Sequence, residues 1–192
     1  MTRLISVLLS GFLFCGCRNL EPTTHDQSAA TAKLKIRNNA ASLLADLLGD
    51  EKNVSKVLLF KHNSKELGRL IKAISVTADA RDQQLEKMAK TDPDLNLHVL
   101  DLPLGEQAAR KSISRSKEHD LLLSSDQEFE FNLLLTQVEA LNYGRHLAKI
   151  AAEYSSSPDE AQTFTAISQA LDNQYQQVIT RLWGRSTPGT GG

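Results

Sequence analysis

The sequence has few of the features that mark specialised classes of protein. Only two of its 192 residues are cysteines, both within the first 17, so the rest of the chain offers no thiol for a disulfide, a metal or a covalent intermediate. With 5% aromatic residues, 10 glycines and 5 prolines, it is neither collagen-like nor of low complexity. Its 22 basic and 23 acidic residues give a net charge of -1, so nothing indicates nucleic-acid binding. The 41% of hydrophobic residues suffices for one folded core.

The N-terminus has the pattern of a secretory leader. Arg3 precedes a stretch of mostly apolar residues that is too short for a membrane-spanning helix, which needs roughly 20. The end of this stretch resembles a bacterial lipobox, in which a cysteine that follows a small residue is lipidated. We therefore predict a lipoprotein signal over residues 1–16 and lipidation of Cys17. Cys15 fits less well because it follows the bulky Phe14. A plain signal peptide, cut further along, is the alternative.

The residues after Cys17 predict a location in the bacterial cell envelope. Position 18 is arginine rather than aspartate, which by resemblance to sorted lipoproteins favours the outer membrane, facing the periplasm, over the inner membrane. Residues 17–27 are mostly polar and include Pro22, as expected of a flexible tether. The predicted partners are a membrane, reached through the lipid, and an envelope protein that the sequence does not identify.

From residue 28 onward the hydrophobic pattern is helical, and it predicts an all-α, antiparallel bundle of four to five helices over residues 28–184. A disordered tail is predicted over residues 185–192. Leu95 and Leu97 belong to a segment bracketed by prolines, which we predict to be a loop packed across the bundle because a lone strand would have no partner. The predicted helices span 29–48, 53–90 with one bend, 105–123, 127–154 and 158–183.

Two of these helices have a clear apolar face. Ser157 is the expected N-cap of the last helix, with Pro158 at its first position. The predicted inner face of the last helix consists of Phe164, Ile167, Leu171, Tyr175, Val178 and Leu182. The predicted seam of the second consists of Phe60, Leu67, Ile71, Ile74, Ala78, Leu85 and Met88.

No motif for catalysis or cofactor binding is present. The sequence lacks Gly-x-Ser-x-Gly, His-Glu-x-x-His, a phosphate-binding glycine loop and the Glu-x-x-His pair of metal-binding bundles. Glu139 and His146 are the best remaining pair of metal ligands. A helical wheel places both with Lys149 and Glu153, opposite the apolar side, so we predict a solvated face instead. We predict no catalytic residue, no metal ligand and no cofactor.

The same wheel singles out two residues in the apolar sector. Gly144 could admit another helix at close range, or could simply be a tolerated helix glycine. Arg145 needs a carboxylate such as Asp172 or Glu66 if it is buried; the favoured interpretation is that its stem lies along the core and its charge reaches solvent.

The third predicted helix is locally basic and could face anionic lipid headgroups. Because its cations scatter around the wheel, an ordinary solvated surface is favoured. The cations are Arg110, Lys111, Arg115 and Lys117.

Glu66 to Leu70 reads Glu-Leu-Gly-Arg-Leu and resembles a stretch of a bacterial envelope family of unknown function with a ferritin-like bundle. Asp79 and the pair 137–138 match further family positions. The family's histidines are absent, since Ala80 follows Asp79 and the later helices carry other residues at the matching positions. The resemblance implies a ferritin-like bundle in the envelope, and no ligands carry over.

Together these features predict a lipid-anchored, non-catalytic helical bundle of the bacterial cell envelope that acts through protein contacts. One alternative is a ferritin-like metalloprotein with an atypical carboxylate site formed by Glu66, Asp79 and Asp82. Another is a bundle that binds a small ligand or lipid, which a sizeable apolar cavity would favour.

Overall fold

The computed structural model describes residues 24–99 and 102–186, and this part of the chain is helical without a single strand, which confirms the predicted all-α bundle. A short 3₁₀ helix spans Val54–Leu59. The predicted signal over 1–16, Cys17 and the rest of the predicted tether up to residue 23, and residues 187–192 of the predicted tail lie outside the described residues. The α-helices are α1 (Thr24–Glu51), α2 (Lys65–Thr91), α3 (Leu104–Leu123), α4 (Asp126–Glu153) and α5 (Pro158–Ser186).

Several helix ends differ from the prediction. α1 begins at Thr24, inside the segment predicted as a tether, and continues past Gly49, which was expected to end it. α5 runs to Ser186, two residues into the predicted tail. Glycine costs only about 1 kcal/mol inside a helix, so Gly49 does not stop a helix whose preceding residue, Leu48, is packed in the core.

The second predicted helix is divided, and Phe60 is not part of its seam. Phe60 lies in the break between the 3₁₀ helix and α2 and is 69% exposed. Ser64 begins α2 by accepting a hydrogen bond from the Leu67 backbone N–H. The rest of the predicted seam packs as expected, with Met88 half-buried against the core. The predicted inner face of α5 is likewise confirmed, and Ser157 caps that helix through the Glu160 backbone N–H.

Four of the helices form the core. α1 packs against α2 and α4, and α5 packs against the same two helices on the other side. Pairs of contacts show that neighbouring helices are antiparallel. Arg181 and Gln174 of α5 reach Ser64 and Thr77, in that order, at the start and in the middle of α2. Ion pairs give the same result for α1 with α2, through Arg37–Asp92 and Lys52–Asp82, and for α4 with α5, through Arg145–Asp172 and Glu130–Arg181. α1 and α5 therefore run in one direction, and α2 and α4 in the other.

One long connection joins α2 to α4. Its first part crosses the outer side of α1, where the Ser42 hydroxyl donates to the carbonyl of Asn96 and accepts from the Val99 N–H, both at 3.0 Å. Leu95 and Leu97 are buried there, which confirms the predicted loop across the bundle. The connection then contains α3, which lies against α4 and has no buried residue.

Gly144 allows α4 to approach two helices at once. A Cβ at this position would lie 2.5 Å from Cδ2 of Leu47 on α1 and 3.0 Å from Cδ1 of Leu171 on α5. The predicted close approach is confirmed. None of the helices in the described part of the chain combines the length and apolar character needed to cross a bilayer.

Candidate functional site

A cleft of about 710 Å³ lies between α1, α4 and the loosely packed α3. Leu43 and Leu47 of α1 form part of its apolar lining, together with Ala140 and Tyr143 of α4. Five carboxylates and three cationic side chains also line it. The charged residues are Asp46, Asp50, Glu51, Glu106, Glu139, Arg110, Lys111 and Lys117.

The cations on α3 are largely engaged by other groups of the cleft wall. Arg110 donates to Glu106 at 2.8 Å and to the Tyr143 hydroxyl at 3.0 Å, and its guanidinium lies 5.2 Å from the Tyr143 ring centroid. Lys117 forms an ion pair with Glu139 of α4. These polar contacts hold α3 across the cleft, together with Leu121, which is half-buried against the core; no side chain of α3 is fully buried.

The opposite wall of the cleft carries a buried acid without a cationic partner. The Glu51 Oε2 atom is fully enclosed and makes no hydrogen bond to the described chain. Burial is the main cause that raises the pKa of Glu51 from 4.5 to about 7; Asp50 adds to the effect, and Gln137 and Lys117 oppose it. Glu51 is therefore poised to gain or lose a proton near neutrality.

Gln137 of α4 lies beside Glu51 and is completely buried. Its amide is close enough to the Glu51 carboxyl to lower the pKa of that group, but neither amide atom has a partner with good hydrogen-bond geometry in the described chain, although buried amides are normally paired. The wheel could have revealed this residue, since Gln137 lies between Leu133 and Leu141 at helical spacing. The family resemblance includes position 137 but does not indicate that its side chain is buried.

Two exposed carboxylates extend this acidic wall along α1. The pKa of Asp50 is raised by burial first, and then by the negative charges of Asp46 and Glu118. Such repulsion opposes folding, and neither Asp46 nor Asp50 has an ion-pair partner within the described residues.

The predicted solvated face of α4 is confirmed, because His146, Lys149 and Glu153 are exposed. Glu139 belongs to the same side but is also the partner of Lys117, so this part of the face serves to dock α3. The wheel could not indicate that contact because it contains one helix only.

Arg145 does not extend to solvent, contrary to the favoured prediction. Its side chain is only 18% exposed; it forms an ion pair with Asp172, donates to Asn142 and lies 4.2 Å from the Tyr175 ring centroid. Asp172 was one of the two proposed partners. Glu66, the other, pairs with Arg69 instead.

The three carboxylates of the alternative metal site are not brought together. Glu66 and Asp79 both lie on α2, where 13 residues separate them by about 20 Å along the helix axis. Asp82 is buried and bound by Lys52 at 2.6 Å. Nowhere in the described ranges do three or more His, Cys, Asp or Glu side chains group as metal ligands would.

The basic residues of α3 do not form one lipid-facing stripe. Arg110, Lys111 and Lys117 line the cleft, whereas Arg115 is exposed elsewhere on the helix. Three of the four cations therefore share the side that faces the cleft, which differs from the predicted scatter around the helix.

Sequence reasoning also missed a buried cation, Arg37 on α1, whose side chain is 0% exposed. Its Nη1 lies 3.2 Å from Asp92 and 3.0 Å from Glu160, and donates to the Ser156 hydroxyl at 3.0 Å. The signal was present, since Arg37 is in helical phase with the buried Ala41, four residues later. No protein-family model, curated protein or solved structure matches this chain.

Proposed function

We propose that this chain is a non-catalytic binding protein of the bacterial cell envelope, held to a membrane by lipid on Cys17 and acting through contacts of its folded bundle. The lipobox-like sequence and the family resemblance support this function. The connectivity adds support: α2 and α4 run in the same direction and are joined by one long crossover, as in ferritin-like bundles.

The observation that carries the proposal is the way α1 leaves the bundle. Residues 28–36 include no buried position, and Arg37, which follows them, is buried. The N-terminal turns of α1 therefore extend beyond the packed core, toward the predicted lipid. Such an extension would hold the bundle away from a bilayer surface.

Exposed apolar side chains lie at the opposite end of the bundle. This end, the distal patch, is formed by Leu59, Phe60, Leu122, Leu123 and Trp183. Lys61 joins the first two segments by donating to the Ser124 carbonyl at 2.7 Å. Arg181, two residues before Trp183, donates to the Ser64 hydroxyl at 2.8 Å. α1 is 28 residues long, so the patch lies about 40 Å from Thr24. Because the patch lies at the end of α1 that is farther along the chain from Cys17, the occupant we propose is an envelope protein with an apolar surface rather than the anchoring membrane.

The anchor is tested by labelling bacteria that express the full chain with an alkyne analogue of palmitate. We expect the wild type to be labelled and to require detergent for extraction, whereas Cys17→Ala is unlabelled and released. Cys15→Ala is the matched control and should remain labelled. An unlabelled wild type, or a Cys17→Ala variant that stays membrane-bound, contradicts the anchor.

The protein contact is tested with a photo-crosslinking amino acid at position 60 in the same cells. We expect one discrete crosslinked product from this position. Val76, a similarly exposed apolar residue in the middle of α2, is the control position and should give none. Equal crosslinking at both positions, or none at either, contradicts a partner on the distal patch.

A second function, binding of a small ligand, is favoured by the cleft between α1, α3 and α4. Its volume of about 710 Å³ is within the range of ligand sites, roughly 300–1,000 Å³. The cleft holds both apolar surface and a buried acid with a displaced pKa, a combination that is typical of binding sites.

A further inference from the structure

The α1 wall of the cleft concentrates negative charge that the fold does not neutralise. Asp46 and Asp50 are one helical turn apart, and Glu51 follows directly. Arg110 and Lys117 on the facing helix are engaged by Glu106 and Glu139. Of the three lining cations, this leaves Lys111 to offset three acids.

The enclosed polar atoms next to these acids indicate a missing ligand rather than simple surface charge. Glu51 lines the cleft, and its enclosed Oε2 has no partner with hydrogen-bond geometry in the described chain. The buried Gln137 amide beside it lowers the Glu51 pKa but does not offset the effect of burial. An enclosed atom without such a partner opposes folding by the cost of removing it from water, about 1–3 kcal/mol and more for a charge. A donor that entered beside Glu51 would satisfy the carboxylate.

We propose that this cleft binds a linear aliphatic polyamine, with one ammonium group at Glu51 and another at the exposed acids Asp46 and Asp50. Methylene segments between the ammonium groups would lie on the apolar lining of Leu43, Leu47 and Tyr143. This inference rests on the small-ligand function proposed above and is independent of the lipid anchor.

Other charged ligands fit the cleft less well. A metal ion needs several converging ligands, and the described chain offers no such group here. An anion would meet the α1 carboxylates, while the Arg110 and Lys117 cations that could attract it are already paired. An ammonium supplies up to three hydrogen-bond donors and a compact positive charge, which are what Glu51 lacks.

The test is a calorimetric titration of the purified full chain with spermidine at pH 8. We expect binding in the wild type and a loss of about tenfold or more in affinity for Glu51→Gln, which keeps the shape of the side chain but removes its charge. Asp79→Asn removes an exposed carboxylate on α2 outside the cleft and should bind as the wild type does. Octanediol, an uncharged aliphatic chain, should not bind.

The pH dependence distinguishes this site from general attraction of cations. Glu51 takes up a proton as the pH falls below about 7, so wild-type affinity should decrease between pH 8 and pH 6. Glu51→Gln should lose most of that dependence. The nearby groups that contribute to the electrostatics are Asp46, Asp50, Glu118, Lys111 and Lys117.

Three outcomes would overturn the polyamine proposal. They are no spermidine binding by the folded wild type, equal affinity in Glu51→Gln and the wild type, and equal weakening in Glu51→Gln and Asp79→Asn. Each of these leaves palmitate labelling of Cys17 unaffected, so failure of this site and failure of the anchor remain distinguishable.

Discussion

α1 carries two buried charged residues that are about four turns apart and differ in one respect. Arg37 is surrounded by partners, since Asp92, Ser156 and Glu160 all contact its Nη1 atom. Glu51, at the other end of the helix, has an enclosed oxygen with no partner and a pKa displaced to about 7. The fold therefore neutralises the Arg37 charge with two carboxylates, although its Nη2 atom makes no hydrogen bond to the described chain, whereas Glu51 has no ion-pair partner there.

The difference separates a structural role from a binding role. A buried ion pair whose members lie on different segments fixes how those segments meet, and Arg37 joins α1 to the end of α2 and the start of α5. A buried acid without a partner opposes folding, and such groups concentrate where proteins bind ligands or carry out chemistry. We therefore expect opposite effects on stability when the two charges are removed.

The largest effect is expected for Arg37→Met. The substitution leaves Glu160, whose side chain is 5% exposed, and the half-buried Asp92 without their cation. Removing one member of a buried ion pair costs about 3–5 kcal/mol. Urea unfolding measured by circular dichroism should show this loss in the free energy of unfolding.

The matched control for Arg37 is Arg69→Met, which breaks an exposed pair with Glu66 on α2. Little change is expected there, because solvent screens exposed ion pairs. If the two variants were equally stable, the Arg37 cluster would not hold the three segments together.

Glu51→Gln should change stability in the opposite direction and make the protein more stable. Between the unfolded pKa of 4.5 and the folded pKa of about 7, the native state holds a proton that the unfolded chain has lost, so stability falls as the pH rises through this window. The ionised carboxylate then costs up to about 3 kcal/mol at pH 8. We expect Glu51→Gln to raise the free energy of unfolding at pH 8 and to leave it nearly unchanged at pH 4.

A stability curve for the wild type and Glu51→Gln from pH 4 to pH 8 provides the measurement. Asp79→Asn, an exposed carboxylate outside the cleft, should follow the wild type throughout. Parallel curves for the wild type and Glu51→Gln would mean that Glu51 is solvated, and the contrast with Arg37 would disappear.

The sequence alone predicted the helices and much of the core, because their spacing depends on local periodicity. The faces of α2 and α5 were identified correctly, apart from Phe60, which lies where the chain breaks before Ser64. The cleft could not be predicted in this way. It is formed by side chains of three helices, and the pairing of Lys117 with Glu139 depends on how α3 docks on α4. Arg37 and Gln137 lie within apolar faces of their helices, so their positions in the sequence indicate that they are buried. Those positions do not indicate which residues of other helices surround them.

Gly144 lies between the packed core and the open cleft. Substituting it should change the free energy of unfolding less than the substitutions of Arg37 and Glu51 do. In Gly144→Ala the new methyl group would press on Leu171 in the core and on Leu47, which can move toward the open cleft. Overpacking costs typically about 1–3 kcal/mol, offset by about 1 kcal/mol from the better helix propensity of alanine. We expect a net loss of about 1 kcal/mol in urea unfolding.

The matched control for this substitution is Gly49→Ala on α1, where nothing lies within 4 Å of a new Cβ. That variant should be more stable by roughly 0.5–1 kcal/mol, because only the helix propensity changes. If both substitutions stabilised the protein, the Leu47 side chain would have moved toward the cleft at no cost to make room for the new methyl group.

The smallest effect on global stability is expected for Lys117→Met, which breaks the ion pair between α3 and Glu139. Both side chains are at least a third exposed, so the loss should not exceed about 1 kcal/mol. Because α3 buries no side chain, the local effect should be larger than the global one. Hydrogen exchange should accelerate in α3 while the amides of α4 and α5 keep their protection. Uniform acceleration over the whole bundle would instead place α3 within the cooperative core and remove the contrast between a flexible cleft wall and the Arg37 end.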